Sequence, residues 1–134
     1  MGRILVDSNI ILDLLLDDPI WSEWSKAAMK KQARRSTLCI NQIIYSEISI
    51  GFNHIEELEK AVSQALFKTL EIPKEALFLA GKAFLKYRRR GGTKLSSDIE
   101  IRKRAQAAVL KLDLITRDIS RYRSYFPTVR LISP

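Results

Sequence analysis

The chain has 134 residues, 46% of them apolar and 28% charged, enough to close a single hydrophobic core, which excludes disulfide scaffolds and disordered tails. Its one cysteine, Cys39, has no second thiol to pair with, so a reducing compartment is permitted. Twenty-three Lys and Arg against fifteen Asp and Glu leave a net charge of +8, which draws polyanions to the surface and makes nucleic acid the leading partner class.

No run reaches the roughly 18 consecutive apolar residues of a membrane span, because Asp7, Asp13, Asp17 and Asp18 interrupt the longest candidate. Met1-Gly2-Arg3-Ile4 lacks the order of an export signal, basic then apolar then a small-residue cleavage site. The expectation is a cytoplasmic protein that does not touch the membrane.

In chain order, Ile4-Leu5-Val6 reads as a strand, and Asn9 to Leu16 as a helix. Asp18-Pro19 supplies an N-cap and a proline at the first helical position, opening a second helix through Trp21, Trp24, Ala28 and Met29 that ends in Lys30, Lys31, Arg34 and Arg35. The two tryptophans suit either an exposed groove for a partner helix or packing in the core. Thr37 to Ile40 is a second strand, and Asn41 caps a helix through Ile43, Ile44, Glu47 and Ile48 to Gly51. A helix is expected from Ile55 to Leu70, then a long one after Pro73, from Lys74 to Arg89, which Gly91-Gly92 ends. A polar loop to Ser97 precedes a helical segment to Lys111, a strand at Leu112–Thr116 and a last strand at Val129–Ile132. Strands spaced by helices, with no hairpin signal, predict one α/β domain over residues 1–134 with a parallel sheet covered on both faces.

In such a sheet, ligands bind beyond the carboxyl ends of strands, near a topological switch point. Asp7 follows the first strand directly and Asp118 follows Leu114-Ile115-Thr116, so neighbouring strands would bring the two carboxylates together. Glu47 shares a helix face with Ile43, Ile44 and Gly51, where an unpaired charge is costly and needs a counter-ion. Each acid also has an ordinary reading: Asp7 as an N-cap, Asp118 as a turn residue, Glu47 as an arginine's partner. Their joint position at one end of the sheet favours a site, where a divalent cation would relieve their mutual repulsion.

These segments, Ile4-Leu5-Val6-Asp7-Ser8-Asn9-Ile10, the Glu47 helix, and Leu114-Ile115-Thr116-Arg117-Asp118 with Tyr122 and the terminal strand, resemble the PIN-domain ribonucleases, specifically VapC-type toxins. The resemblance implies a three-layer α/β/α fold around a parallel sheet of four to five strands. It also implies a cluster of acids binding Mg²⁺ or Mn²⁺, endonucleolytic cleavage of RNA, restraint by a VapB-type antitoxin, and a homodimer. Residue by residue, Asp7 matches the first acid, Glu47 the second and Asp118 the fourth. A gapless match through Ala105–Val109 puts Glu100 at the third, with Asp98 as the nearby competitor. There the chain departs from the pattern, because the helix opening Glu100-Ile101-Arg102-Lys103-Arg104 is far more basic than the family's apolar one.

An intact site would hydrolyse phosphodiesters by lowering the pKa of a metal-bound water, so the single histidine, His54, need do no chemistry. Ser8, Asn9 and Thr116 would orient ligands, or act as capping residues. The segment from Lys82 to Arg104 is dense in Lys and Arg; Arg88, Arg89, Arg90 and Lys94 are the expected RNA contacts, with a solvated helix end as the plain alternative. The rival to a ribonuclease is a weakened or inactive PIN-like module that still binds RNA or an antitoxin.

Overall fold

The computed structural model describes residues 2–94, 97–119 and 123–134, with Arg123 described by its backbone alone. Tyr122, named in the resemblance, lies outside them. Five strands form one sheet: β1 (Gly2–Val6), β2 (Ser36–Ile40), β3 (Lys68–Thr69), β4 (Asp113–Ile115) and β5 (Leu131–Ile132), in the order β3-β2-β1-β4-β5 and all parallel. Six helices connect them: α1 (Ser8–Leu15), α2 (Ser22–Ala33), α3 (Gln42–Ile48), α4 (Ile55–Gln64), α5 (Lys74–Arg89) and α6 (Ser97–Leu110).

The central strands bury their carboxyl ends, as in Ile4-Leu5-Val6 and Leu38-Cys39-Ile40. Right-handed crossovers put α1 to α4 on one face and α5 and α6 on the other, and α1 packs on α2 and α3 while α5 packs on α6. The expected three layers are present. The chain moves outward from β1 to β2 and β3, then returns to β1's other edge as β4, so the order reverses between β1 and β4. That is the switch point where such sheets open a crevice.

The last strand begins at Leu131 rather than at Val129, and local boundaries differ from the expected ones more widely in two places. The predicted helix from Ile55 to Leu70 stops at Gln64; the backbone turns through Leu66 at φ 59° and Lys68–Thr69 joins β2 as an edge strand. Two exposed residues carry no periodicity to read, and only the hydrogen bonds of β2 define them. Asp18 accepts from the N–H groups of Ile20 and Trp21 at 2.9 and 2.8 Å, which makes a turn, and α2 begins only at Ser22. Trp24 packs against the core, whereas Trp21 lies half-buried under the Arg117 guanidinium, 5.3 Å from its ring. α5 ends as expected, at Gly91 with φ 87°, and at Gly92, where a Cβ would stand 2.3 Å from the Tyr87 ring. Among the described residues no helix is long and apolar enough to cross a membrane.

Candidate functional site

Asp7 stands at the carboxyl end of β1 with 2% of its surface exposed. Its Oδ1 accepts from the Ser8 N–H at 2.8 Å, so it does cap α1, and its Oδ2 accepts from the Thr116 hydroxyl at 2.7 Å. Thr116, just past β4 and fully buried, also accepts from the Asp118 N–H at 3.0 Å and from Asn9 Nδ2 at 3.4 Å, while Asn9 Oδ1 accepts from the Arg117 N–H at 3.3 Å. Pairing of β1 with β4 and these side-chain bonds join two loops more than 100 residues apart in sequence.

The decisive group is Lys103. Its ammonium lies 2.8 Å from Asp7 Oδ1, 2.6 Å from Glu47 Oε1 and 3.2 Å from Glu100 Oε1, and its side chain is 1% exposed. Glu47 reaches in from α3, and Glu100 and Lys103 stand three residues apart on one face of α6. Glu47 Oε1 is the nearest of the three carboxylate oxygens to the ammonium. Ser8 Oγ is 3.5 Å from the same nitrogen.

Burial, and next the charge of Asp7, push the Glu100 carboxyl up to about 7, against the pull of Lys103. Burial works to lower the Lys103 pKa, but the negative charges of Asp7 and Glu100 outweigh it and hold the ammonium protonated. Asp98 takes no part: its Oδ2 pairs with Arg102 at 2.9 Å, one turn along α6. Asp118 comes to the same end of the sheet through its backbone, its N–H on Thr116 and its carbonyl accepting from the Arg104 guanidinium.

Lys103 and Arg104, read from sequence as part of a basic rim, are therefore interior residues, 1% and 2% exposed. The signal that could have found Lys103 is its spacing of three from Glu100. Arg88, Arg89, Arg90 and Lys94 are exposed, as a rim requires. Arg88 lies over the Phe84 ring at 6.0 Å and Arg90 over Tyr125 at 5.4 Å, beside a cleft of about 250 Å³ that Lys82, Lys86 and Arg90 line. A second buried acid, Asp13, escaped the sequence reading; it accepts two bonds from Arg117, at 2.9 and 2.8 Å, and one from Ser25 Oγ at 2.6 Å.

The model of the PIN domain family matches residues 4–125. The chain belongs to the PIN domain family. Solved structures share its PIN fold end to end: VapBC2 from Rickettsia felis bound to a promoter DNA fragment (TM-score 0.73, 14% identity, covering 98% of each chain), VapBC-1 from nontypeable Haemophilus influenzae (0.72, 15%, 98% of this chain and 97% of that one) and a toxin–antitoxin complex from Klebsiella pneumoniae (0.69, 22%, 98% and 97%). No curated protein matches the sequence.

PIN domains are nucleases that generally use divalent metal ions, so the acids must be tested against one. Oxygen-rich carboxylates are the right donors for a hard cation. As built, however, the residues do not fit an ion, because the point that Asp7, Glu47 and Glu100 share is filled by the Lys103 ammonium. Among the described residues, no group of three or more His, Cys, Asp or Glu is spaced to hold a metal.

Proposed function

We propose that the chain is the VapC-type component of a toxin–antitoxin pair: a PIN protein directed at RNA, held by a VapB-type antitoxin, with a second copy of itself as a further partner and the cytoplasm as its setting. Membership of the PIN family supports this, as do the toxin–antitoxin complexes among the structural relatives. The net charge of +8 and the exposed arginines that end α5 give an RNA backbone a surface to bind.

The reaction such a fold serves is hydrolysis of an RNA phosphodiester, in its full form as a Mg²⁺- or Mn²⁺-dependent endoribonuclease. Asp7, Glu47, Glu100 and Asp118 are the acids proposed for it, and Ser8, Asn9 and Thr116 the residues that position them. One observation favours the weakened form over the active one: the three carboxylates close on a buried lysine. A single ammonium offsets only part of the charge of three carboxylates, but it fills the point they share, so we assign the low-activity form, in which RNA and antitoxin are bound while hydrolysis is weak or absent.

Mixed with a single-stranded RNA and Mg²⁺ or Mn²⁺, the purified chain should retain the RNA on a filter and leave its length unchanged on a denaturing gel. Fast, chelator-sensitive cleavage that Asp7→Asn abolishes would establish the active nuclease instead. A failure to retain RNA would remove RNA from the reading.

A further inference from the structure

We propose that Lys103 is a built-in counter-ion standing where a divalent metal would sit among Asp7, Glu47 and Glu100, so that this chain folds without metal while a latent metal site lies one substitution away. The inference rests on the reading of the chain as a weakly hydrolytic PIN protein, and it supplies the physical cause.

An ammonium has three N–H groups, and here three carboxylate oxygens lie within 2.6 to 3.2 Å of the nitrogen. The lysine stem is sealed, so the cation is not a surface side chain that has drifted in; α6 carries it to the pocket on the same face as Glu100. The neighbouring Arg104, 2% exposed, holds the backbone carbonyl of Asp118, so a protein cation also fixes the loop of the fourth acid.

A divalent ion at the same point would bind oxygens at about 2.0–2.6 Å, closer than most of the present contacts, and would repel the ammonium. One of the two must leave. The lysine is tethered, so it competes as an intramolecular ligand at high effective concentration, which disfavours the free ion. Without the lysine charge, nothing from the protein occupies the point between those oxygens, and they have to draw in from their present 2.6 to 3.2 Å to hold an ion.

The test compares Mn²⁺ binding to the wild-type chain and to Lys103→Met, which keeps most of the stem and loses the charge. Free Mn²⁺ is followed by electron paramagnetic resonance, and melting temperature is recorded with Mn²⁺ and with chelator. Wild type should bind no Mn²⁺ saturably and melt at the same temperature in both. Lys103→Met should bind one Mn²⁺ saturably, melt higher with Mn²⁺, and lose both properties when Asp7→Asn is added.

Saturable wild-type binding that Asp7→Asn removes would overturn the proposal, as would a folded Lys103→Met that binds no better than wild type. If Lys103→Met folds only with Mn²⁺ present, that rescue supports the proposal. If it folds under neither condition, the wild-type titration decides by the same criterion. RNA retention by wild type, measured without metal, fails separately if the functional reading is at fault.

Discussion

The Thr116 hydroxyl donates to Asp7 Oδ2 at 2.7 Å and accepts from the Asp118 N–H at 3.0 Å, so a single buried side chain couples the end of β1 to the loop after β4. Thr116→Val keeps the shape and removes both bonds, together with the one accepted from Asn9 Nδ2. It should cost about 2 kcal/mol of stability in urea unfolding, because a buried carboxylate oxygen is left without its donor. Glu100 gives a prediction with a definite sign. Its carboxyl is raised from 4.5 to about 7, so the folded chain holds that proton more tightly than the unfolded one. Its contribution to stability is therefore complete below pH 4.5 and is lost as pH rises through about 7. Urea midpoints across that window should fall with pH in wild type and fall less in Glu100→Gln. At this scale the sequence is informative about single residues and silent about their neighbours. Asp7 is legible both as a helix cap and as a site acid, and it is both a cap and a member of the acid cluster; Lys103 has the look of a surface cation because nothing in a linear string reports burial.

At the scale of elements, α6 is the unusual one. It buries half of its residues and turns Lys103, Arg104 and Gln106 inward among them, each toward a specific partner. Gln106 accepts from Asn41 Nδ2 at 2.7 Å and donates to the Glu71 carbonyl at 3.0 Å, while Asn41 Oδ1 caps α3 by accepting from the Ile44 N–H at 2.8 Å. One amide thereby fixes α6 against the start of α3, the helix that carries Glu47. Gln106→Leu should destabilise the chain by about 2 kcal/mol in chemical denaturation, since the fully buried Asn41 amide loses its acceptor. Helices with clear stripes, caps and glycine stops, such as α5, are legible from their residues alone. The edge strand β3 is not, because its two exposed residues are a strand only by virtue of β2.

At the scale of the whole molecule, the acids meet because the strand order reverses at β1, and the excess positive charge lies partly at the end of α5. Replacing Arg88, Arg89 and Arg90 by Ala should lower the slope of log K against log salt for single-stranded RNA by about 2, if each contacts a phosphate. An unchanged slope would put the RNA surface elsewhere. The sequence by itself determined the layered α/β class, most helix ends and the acids at the strand termini, since periodicity, capping and turn chemistry are local. Tertiary structure alone decided which side chains share a pocket: α6 turns Lys103 and Glu100 onto the carboxylates of Asp7 and Glu47, and leaves Asp98 to Arg102. The reason is that burial and charge pairing depend on distances between segments some fifty to a hundred residues apart, and no local pattern encodes those.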